Sequence, residues 1–285
     1  MECSNTAQEA DETRLEQRLI EHLRGLGDDG VLLAFSGGVD SSYLLAVCAE
    51  AFGVAGLGAD APTAARAVLG VSPSLSAAQH RQAREVAQFL GVTLEEVPTT
   101  EVARPEYLAN TGDRCFFCKD TLFATLRRLA PGAVILDGTQ ADDATGHRPG
   151  RDAARQHGVR SPLLEMGIGK AAIRRLSARR GLQTADLPAA PCLASRFPAG
   201  TPVTLAGLAR VEAAEELVRS LGFRELRVRH HAGDVARIEV PLSEASRVVG
   251  TEAGRSLSDG LKRLGFRFVT LDLEGFRSGS SSTLG

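Results

Sequence analysis

The sequence predicts an α/β fold: a parallel sheet wrapped by helices on both faces, followed by a smaller C-terminal α+β domain. Compact apolar runs at 30–38, 67–71, 92–98 and 133–138 alternate with helix-like stretches, and alternation at that spacing is the signature of crossover-connected parallel strands. A proline-rich segment, LPAAPCLASRFPAGTP (187–202), then interrupts the pattern and reads as a linker or a structured loop. Beyond it the order changes to helix, two adjacent strands, helix, strand.

Residues 1–12 are polar and acidic and read as a disordered start. The stretch 14–26 is amphipathic, and GVLLAFSGG (30–38) is a buried strand ending in glycines. A helix is expected from Ser41 to about Phe52, a strand over 67–71, a helix over 76–91 closed by Gly91, and a strand over 92–98. Helix-like sequence returns at 118–129, a strand at 133–138, and a Gly-terminated helix at 170–181. In the last third, helices are expected over about 204–221 and 243–263 and strands over 225–231, 234–241 and 266–274, with HAGD (231–234) turning a hairpin. The expected domains are 13–186, a loop at 187–203, and 204–277; SGSSSTLG (278–285) is a flexible tail.

Composition narrows the function classes. Acidic residues (35) nearly balance basic ones (33), so no global positive field exists to hold a nucleic-acid backbone, and no nucleic-acid partner is expected. No apolar run approaches a membrane span, and the acidic start fits neither a signal nor a transit peptide. Five cysteines, at 3, 48, 115, 118 and 192, are an odd number without scaffold density, which points to a reducing, cytoplasmic setting.

SGGVDSS (36–42) stands directly between a buried strand and a helix. Gly37 and Gly38 permit positive φ and let backbone N–H groups approach a ligand, and the helix start adds partial positive charge. Ser36, Ser41 and Ser42 add hydroxyls without bulk, so the loop is built to hold phosphate oxygens. It is not the Walker pattern, and no lysine follows the glycines. Asp40, a carboxylate among phosphates, argues for Mg2+. Gly138 and Thr139, at the carboxyl end of the strand 133–138, are taken to line the nucleotide. Asp142 and Asp143 are read either as Mg2+ ligands or as helix caps.

RCFFCK places Cys115 and Cys118 three apart, and Cys192 lies in the proline-rich loop. A CxxC alone is compatible with half a zinc site, a redox pair or two buried thiols. Zinc wants a fourth ligand, and neither His147 nor His157 has motif spacing. Three thiolates with an open position suit an iron–sulfur cluster. Cys3 and Cys48 read as incidental or structural. Arg196 follows Cys192 and suits a bidentate contact to carboxylate or phosphate. Arg227 and Arg229 are two apart on a strand and so share a face. Arg174, Arg175, Arg179 and Arg180 read as solvated helix charges, and His230 and His231 as strand-end residues.

SGGVDSS closely resembles the PP-loop of ATP pyrophosphatases, which cleave ATP between the α- and β-phosphates. LDGTQADD (136–143), HRPGRDAARQHGVRSPL (147–163), IGKAAIRRLS (168–177), PAAPCLASRFPAGTP (188–202), RVRHHAGDVARIEV (227–240) and LGFRFVTLDLEGFRSGS (264–280) extend the likeness. Together they resemble the LarE family of ATP-dependent sulfur transferases over residues of about 12–280. The family's WDKPAAPC reads ADLPAAPC here, with Ala185 and Leu187 in place of an aromatic residue and a lysine.

The resemblance implies an adenine nucleotide alpha hydrolase-like, Rossmann-like first domain. It implies adenylation of a carboxylate of pyridinium-3,5-biscarboxylic acid mononucleotide and its thiolation, in nickel-pincer nucleotide biosynthesis. It implies ATP, Mg2+ and, because CxxC is present, a 4Fe-4S cluster on Cys115, Cys118 and Cys192, with sulfide or another sulfur source as partner. In family members without the cluster, the cysteine matching Cys192 is itself sacrificed. Arg227 and Arg229 match the family's proposed substrate-binding arginines, Ser195 and Arg196 are read as substrate-binding beside them, and a homo-oligomer is expected. The competing activity is cluster-dependent tRNA thiolation, against which the near-neutral charge argues.

Overall fold

The computed structural model describes residues 2–26, 30–52, 65–146 and 148–277. The tail 278–285 and His147 lie outside the described residues. The chain divides into two compact units. The first comprises Met1–Ser72, Ala77–Glu101 and Cys115–Ala190; the second comprises Pro73–Ser76, Val102–Arg114 and Pro191–Gly285. The second unit thus takes in two short excursions from the first half of the chain. A linear reading of composition has no means of detecting them.

In the first unit, α1 (Glu2–Arg24) leads into β1 (Val31–Ala34), α2 (Val39–Phe52), β2 (Ala65–Val71), α3 (Ala77–Phe89) and β3 (Leu94–Pro98). After α4 (Pro105–Ala109), which belongs to the second unit, come α5 (Arg114–Leu129), β4 (Val134–Leu136), α6 (Pro149–Gln156), α7 (Pro162–Glu165) and α8 (Lys170–Arg179). The sheet is wholly parallel, in the order β3-β2-β1-β4. Strand order therefore reverses between β1 and β4, and the crevice outside the carboxyl ends of those two strands is where open α/β sheets bind ligands. Every residue of β1 is buried, as expected of a central strand covered on both faces. Phe123 and Leu126 of α5 and Ala153 and Ala154 of α6 pack on Leu32, Val68 and Ile135.

Two sequence expectations change here. α1 runs back to Glu2, through the segment read as a disordered start. A polar, acidic composition removes the apolar stripe without removing helix propensity, and Glu12 is buried against Arg175 and Arg179. The arginines at 175, 179 and 180 are accordingly more than solvated charges, although Arg175 and Arg179 stay 48% and 40% exposed. Arg175 and Arg179 bind Glu12, and Arg180 binds Glu16 and Glu50.

In the second unit, α9 (Leu205–Ser220) precedes β5 (Arg227–His231), β6 (Val235–Glu239), α10 (Glu252–Arg263) and β7 (Phe268–Leu271). The sheet order is β5-β6-β7, with β5 and β6 antiparallel and β6 and β7 parallel. Gly233 and Asp234, both at positive φ, turn the hairpin. Val218, Phe223, Val228, Ile238, Leu257 and Leu261 form the core. The single helix expected over 243–263 is split into a short 3-10 turn (Leu242–Arg247) and α10. Gly250 at positive φ separates them, and Thr251 caps the second through Gly254 N. Among the described residues no helix is long and apolar enough to cross a membrane.

Candidate functional site

The loop after β1 is a cradle tied together by its own hydroxyls. Ser41 Oγ accepts from Ser36 N at 3.3 Å, lies 3.0 Å from Ser36 Oγ and donates to Gly38 O at 3.2 Å. Ser42 N closes the first helical bond on Gly38 O. Gly37 is fixed twice over: its φ is +72°, and a Cβ there would meet Ala83 Cα at 2.8 Å. Gln82 of α3 donates to the Gly37 carbonyl. The Ser42 hydroxyl is fully buried and makes no hydrogen bond among the described residues.

The loop after β4 supplies the facing wall. Asp137 accepts from Thr139 N and Oγ1 and from Ser161 Oγ, fixing the 137–139 turn. A Cβ at Gly138 would meet Ser41 N at 3.0 Å, so the two loops touch and a larger residue would press the backbone of the cradle. Ser36, Gly38, Asp40, Ser41, Lys119, Asp137, Gly138, Thr139 and Asp143 line one open cavity of about 200 Å3 at the strand-order reversal. Ser36, Gly38, Asp40, Ser41, Gly138 and Thr139 are thus brought together as expected, whereas Gly37 and Ser42 support the cradle from behind.

Lys119, Asp137 and Lys170 are the site residues that the sequence did not single out. Lys170 Nζ lies 2.6 Å from both oxygens of Asp40, so a lysine reaches the loop after all, from 130 residues away. Burial pushes the Asp40 carboxyl above its ordinary value, and Lys170 opposes that shift. Asp142 takes the capping alternative: it accepts from Lys170 N at the start of α8. Asp143 accepts from Gln140 N and pairs with Arg148. Asp40 and Asp143, the carboxylates on one cavity that a hard cation would take, are both already paired, with Lys170 and with Arg148.

Cys115 and Cys118 lie three residues apart at the start of α5 in the first unit, Cys115 exposed and Cys118 partly so. Cys192 is partly buried in the second unit. Three soft thiolates fit an iron–sulfur cluster by chemistry. By placement, however, neither unit alone holds more than two of them, and among the described residues no three His, Cys, Asp or Glu side chains gather as a metal group. His157 bonds Asp120 instead. Cys48 is buried, its thiol pushed up to about 12 by that burial, and is structural.

The second unit builds a different kind of site around Cys192. Arg196 forms a bidentate pair with Glu215, at 2.7 and 3.0 Å, and donates to the carbonyls of Pro191 and Cys192 and to Ser195 Oγ. Arg229 pairs with Glu239, at 2.7 and 3.2 Å, and donates to Ser195 O at 3.0 Å. Arg227 donates to Arg277 O and stacks on Phe276. Arg227 and Arg229 do share a face, and both are only 3% exposed. Burial first, then the Arg229 and Arg196 cations, pulls the Arg227 pKa down. Crowded, desolvated guanidiniums of this kind are relieved by an anion.

No protein-family model matches the chain. Similarity to curated proteins is extensive. An uncharacterized protein of Synechocystis is 41% identical over 269 residues, 93% of this chain and 97% of its own length. An uncharacterized protein of Methanocaldococcus jannaschii is 25% identical over 87% of this chain and 91% of its own. The pyridinium-3,5-bisthiocarboxylic acid mononucleotide synthase of Lactiplantibacillus plantarum is 35% identical over 254 residues, 87% of each chain. By that identity and coverage, the chain belongs to the LarE family.

Proposed function

We propose that the protein is an ATP-dependent sulfur transferase acting on pyridinium-3,5-biscarboxylic acid mononucleotide in the nickel-pincer cofactor pathway. The reading rests on one observation above all: a member of this family carries a glycine- and serine-rich cradle at the strand-order reversal of its parallel sheet. ATP occupies that cradle, with its phosphates against the 36–42 amides and hydroxyls and the 137–139 turn. A substrate carboxylate oxygen attacks the α-phosphorus, forming an acyl-adenylate and releasing pyrophosphate. Cradle amides, Lys119 and Lys170 stabilise the departing charge. Asp40 and Asp143 would hold Mg2+, which when bound would supply charge screening for the phosphates. AMP is then displaced from the acyl carbon by a sulfur nucleophile, which a free carboxylate oxygen would not permit.

The substrate's own phosphate is assigned to Arg227 and Arg229, with Ser195 and Arg196 ordering the loop beside them. We further propose Cys115, Cys118 and Cys192 as ligands of a 4Fe-4S cluster, which when bound would supply an iron with an open position for a sulfide. A second reading is favoured by how Cys192 is held, by Arg196 within the second unit: its own sulfur attacks the acyl carbon. Cleavage of its Cβ–S bond with loss of the Cα proton then leaves a thiocarboxylate and dehydroalanine at 192. Intact-mass measurement after anaerobic turnover separates the two, since sacrifice irreversibly removes about 34 Da, the mass of hydrogen sulfide. The transferase reading itself is tested by nucleotide products. AMP and pyrophosphate formed only with the mononucleotide support it; ADP and phosphate would overturn it. A homo-oligomer in the cytoplasm is part of the same proposal.

A further inference from the structure

The loop that carries Cys192 is held within the second unit by the two excursions from the first half of the chain. Leu193 N donates to Ser74 O at 2.9 Å, and Ser74 Oγ is bonded to Tyr107 Oη of α4. At the other end of the loop stands Asn110, directly after α4, buried to 3% exposure and in the left-handed region at φ +53°. Its Nδ2 lies 3.3, 2.8 and 2.9 Å from the carbonyls of Phe197, Pro198 and Thr201. Its backbone carbonyl accepts from Gly200 N at 2.8 Å, and Val203 N donates to Leu108 O at 2.8 Å. Arg114 Nη1 donates to Asn110 Oδ1, fixing which way the amide faces.

Asparagine is the side chain that does all of this at once. It tolerates φ > 0 better than other non-glycine residues. Its amide nitrogen supplies two donors and its oxygen an acceptor, in a group short enough to stay on the turn. Aspartate keeps the shape and loses both donors, which would set a carboxylate against three carbonyl oxygens. Glycine keeps the backbone and loses the pin. Nothing local in the sequence marks this residue, because the carbonyls it gathers lie 87 to 91 positions away.

We infer that Asn110 is a positioning residue for sulfur transfer: it holds the 197–201 turn so that the Cys192 loop keeps one conformation. The inference rests on the sulfur-transferase reading for its consequence, but not for its test. A misplaced sulfur forfeits an attack that depends on near-contact geometry, while adenylation, assigned to the first unit's cradle, continues. Loss of the pin therefore uncouples the two half-reactions.

The test uses the full chain with Asn110→Asp, Asn110→Gly and the milder Arg114→Met. Two readouts are taken: the rate of Cys192 alkylation by iodoacetamide, followed by peptide mass spectrometry, and the ratio of thiocarboxylate formed to pyrophosphate released. Asn110→Asp is expected to raise Cys192 alkylation about tenfold, with Cys48 still protected, and to lower the product ratio about tenfold or more. Arg114→Met should change both in the same direction by less, and it keeps the question open to experiment if Asn110→Asp does not fold. Wild-type alkylation and an unchanged product ratio in folded variants would overturn the inference. A proportional fall of both half-reactions would also overturn it, since that is the signature of general destabilisation. If the wild-type chain forms no thiocarboxylate, the transferase reading fails, and alkylation alone decides whether Asn110 holds the loop.

Discussion

The two proposed anion sites of this protein are built on opposite principles. The first unit's cradle uses backbone amides, small hydroxyls and glycines, with the charged pairs Asp40–Lys170 and Asp143–Arg148 at its edge. The second unit's site uses guanidiniums buried almost completely and oriented by Glu215 and Glu239. The difference teaches where each site is vulnerable. A cradle of backbone groups tolerates loss of a side chain structurally and suffers in chemistry. A buried charge network suffers first in stability, because an ion left without its partner keeps the whole desolvation cost.

The largest expected effect breaks the cradle without unfolding it. Asp40→Ala should lower mononucleotide-dependent pyrophosphate release by about 10^2–10^3-fold, the scale of removing one electrostatic contributor from an active site. The melting temperature should move little, since both partners are partly exposed. Near-normal release would remove Asp40 from the ATP site. Arg229→Ala sharpens the contrast from the other side. It removes the bidentate partner of Glu239, which is 1% exposed and keeps only Arg237 at 3.0 Å, and urea denaturation should show a loss of roughly 2–3 kcal/mol, less than the full cost of an unpaired buried ion. A loss under about 1 kcal/mol would mean that the buried network does not scaffold the second unit.

Arg227→Ala is the intermediate case: among the described contacts Arg227 donates to a carbonyl and stacks on an aromatic face. It should weaken mononucleotide binding by about ten- to a hundredfold, or roughly 1.5–3 kcal/mol, and leave ATP binding unchanged. Calorimetric titration of each ligand checks both halves; weakened ATP binding would reverse the roles of the units. The smallest effect concerns pH. The Arg160 and His22 contacts hold Glu165 down to about 2. Its folded value is depressed, so its stabilisation is present above the ordinary carboxylate range and disappears as pH falls from about 4.5 towards 2. Glu165→Gln should therefore cost about 1 kcal/mol at about pH 7, after allowance for solvent screening, and almost nothing near pH 2. An equal cost at both pH values would rule out the charge as its source.

What could be read from sequence follows the range of the interactions. SGGVDSS is contiguous, and its strand–loop–helix setting is local, so cradle and fold class were both visible. The 137–139 turn was visible because it ends a strand. Lys170 was not, since the fold carries it 130 positions to Asp40, and no spacing rule links the two. Arg227 and Arg229 were legible as a same-face pair from strand period alone, but their burial and the Glu239 partner come from a neighbouring strand. The ion pairs of Arg175, Arg179 and Arg180 escape a sequence reading for the same reason: their partners Glu12, Glu16 and Glu50 belong to α1 and α2.

The division of labour between the two sites is tested most directly by stoichiometry in one anaerobic reaction containing ATP, Mg2+, a sulfur source and pyridinium-3,5-biscarboxylic acid mononucleotide. Pyrophosphate, AMP and thiocarboxylate are measured together. The account predicts one pyrophosphate and one AMP for each thiocarboxylate, and no pyrophosphate when the mononucleotide is omitted. Pyrophosphate release that ignores the mononucleotide, or thiocarboxylate formed without AMP, would contradict it.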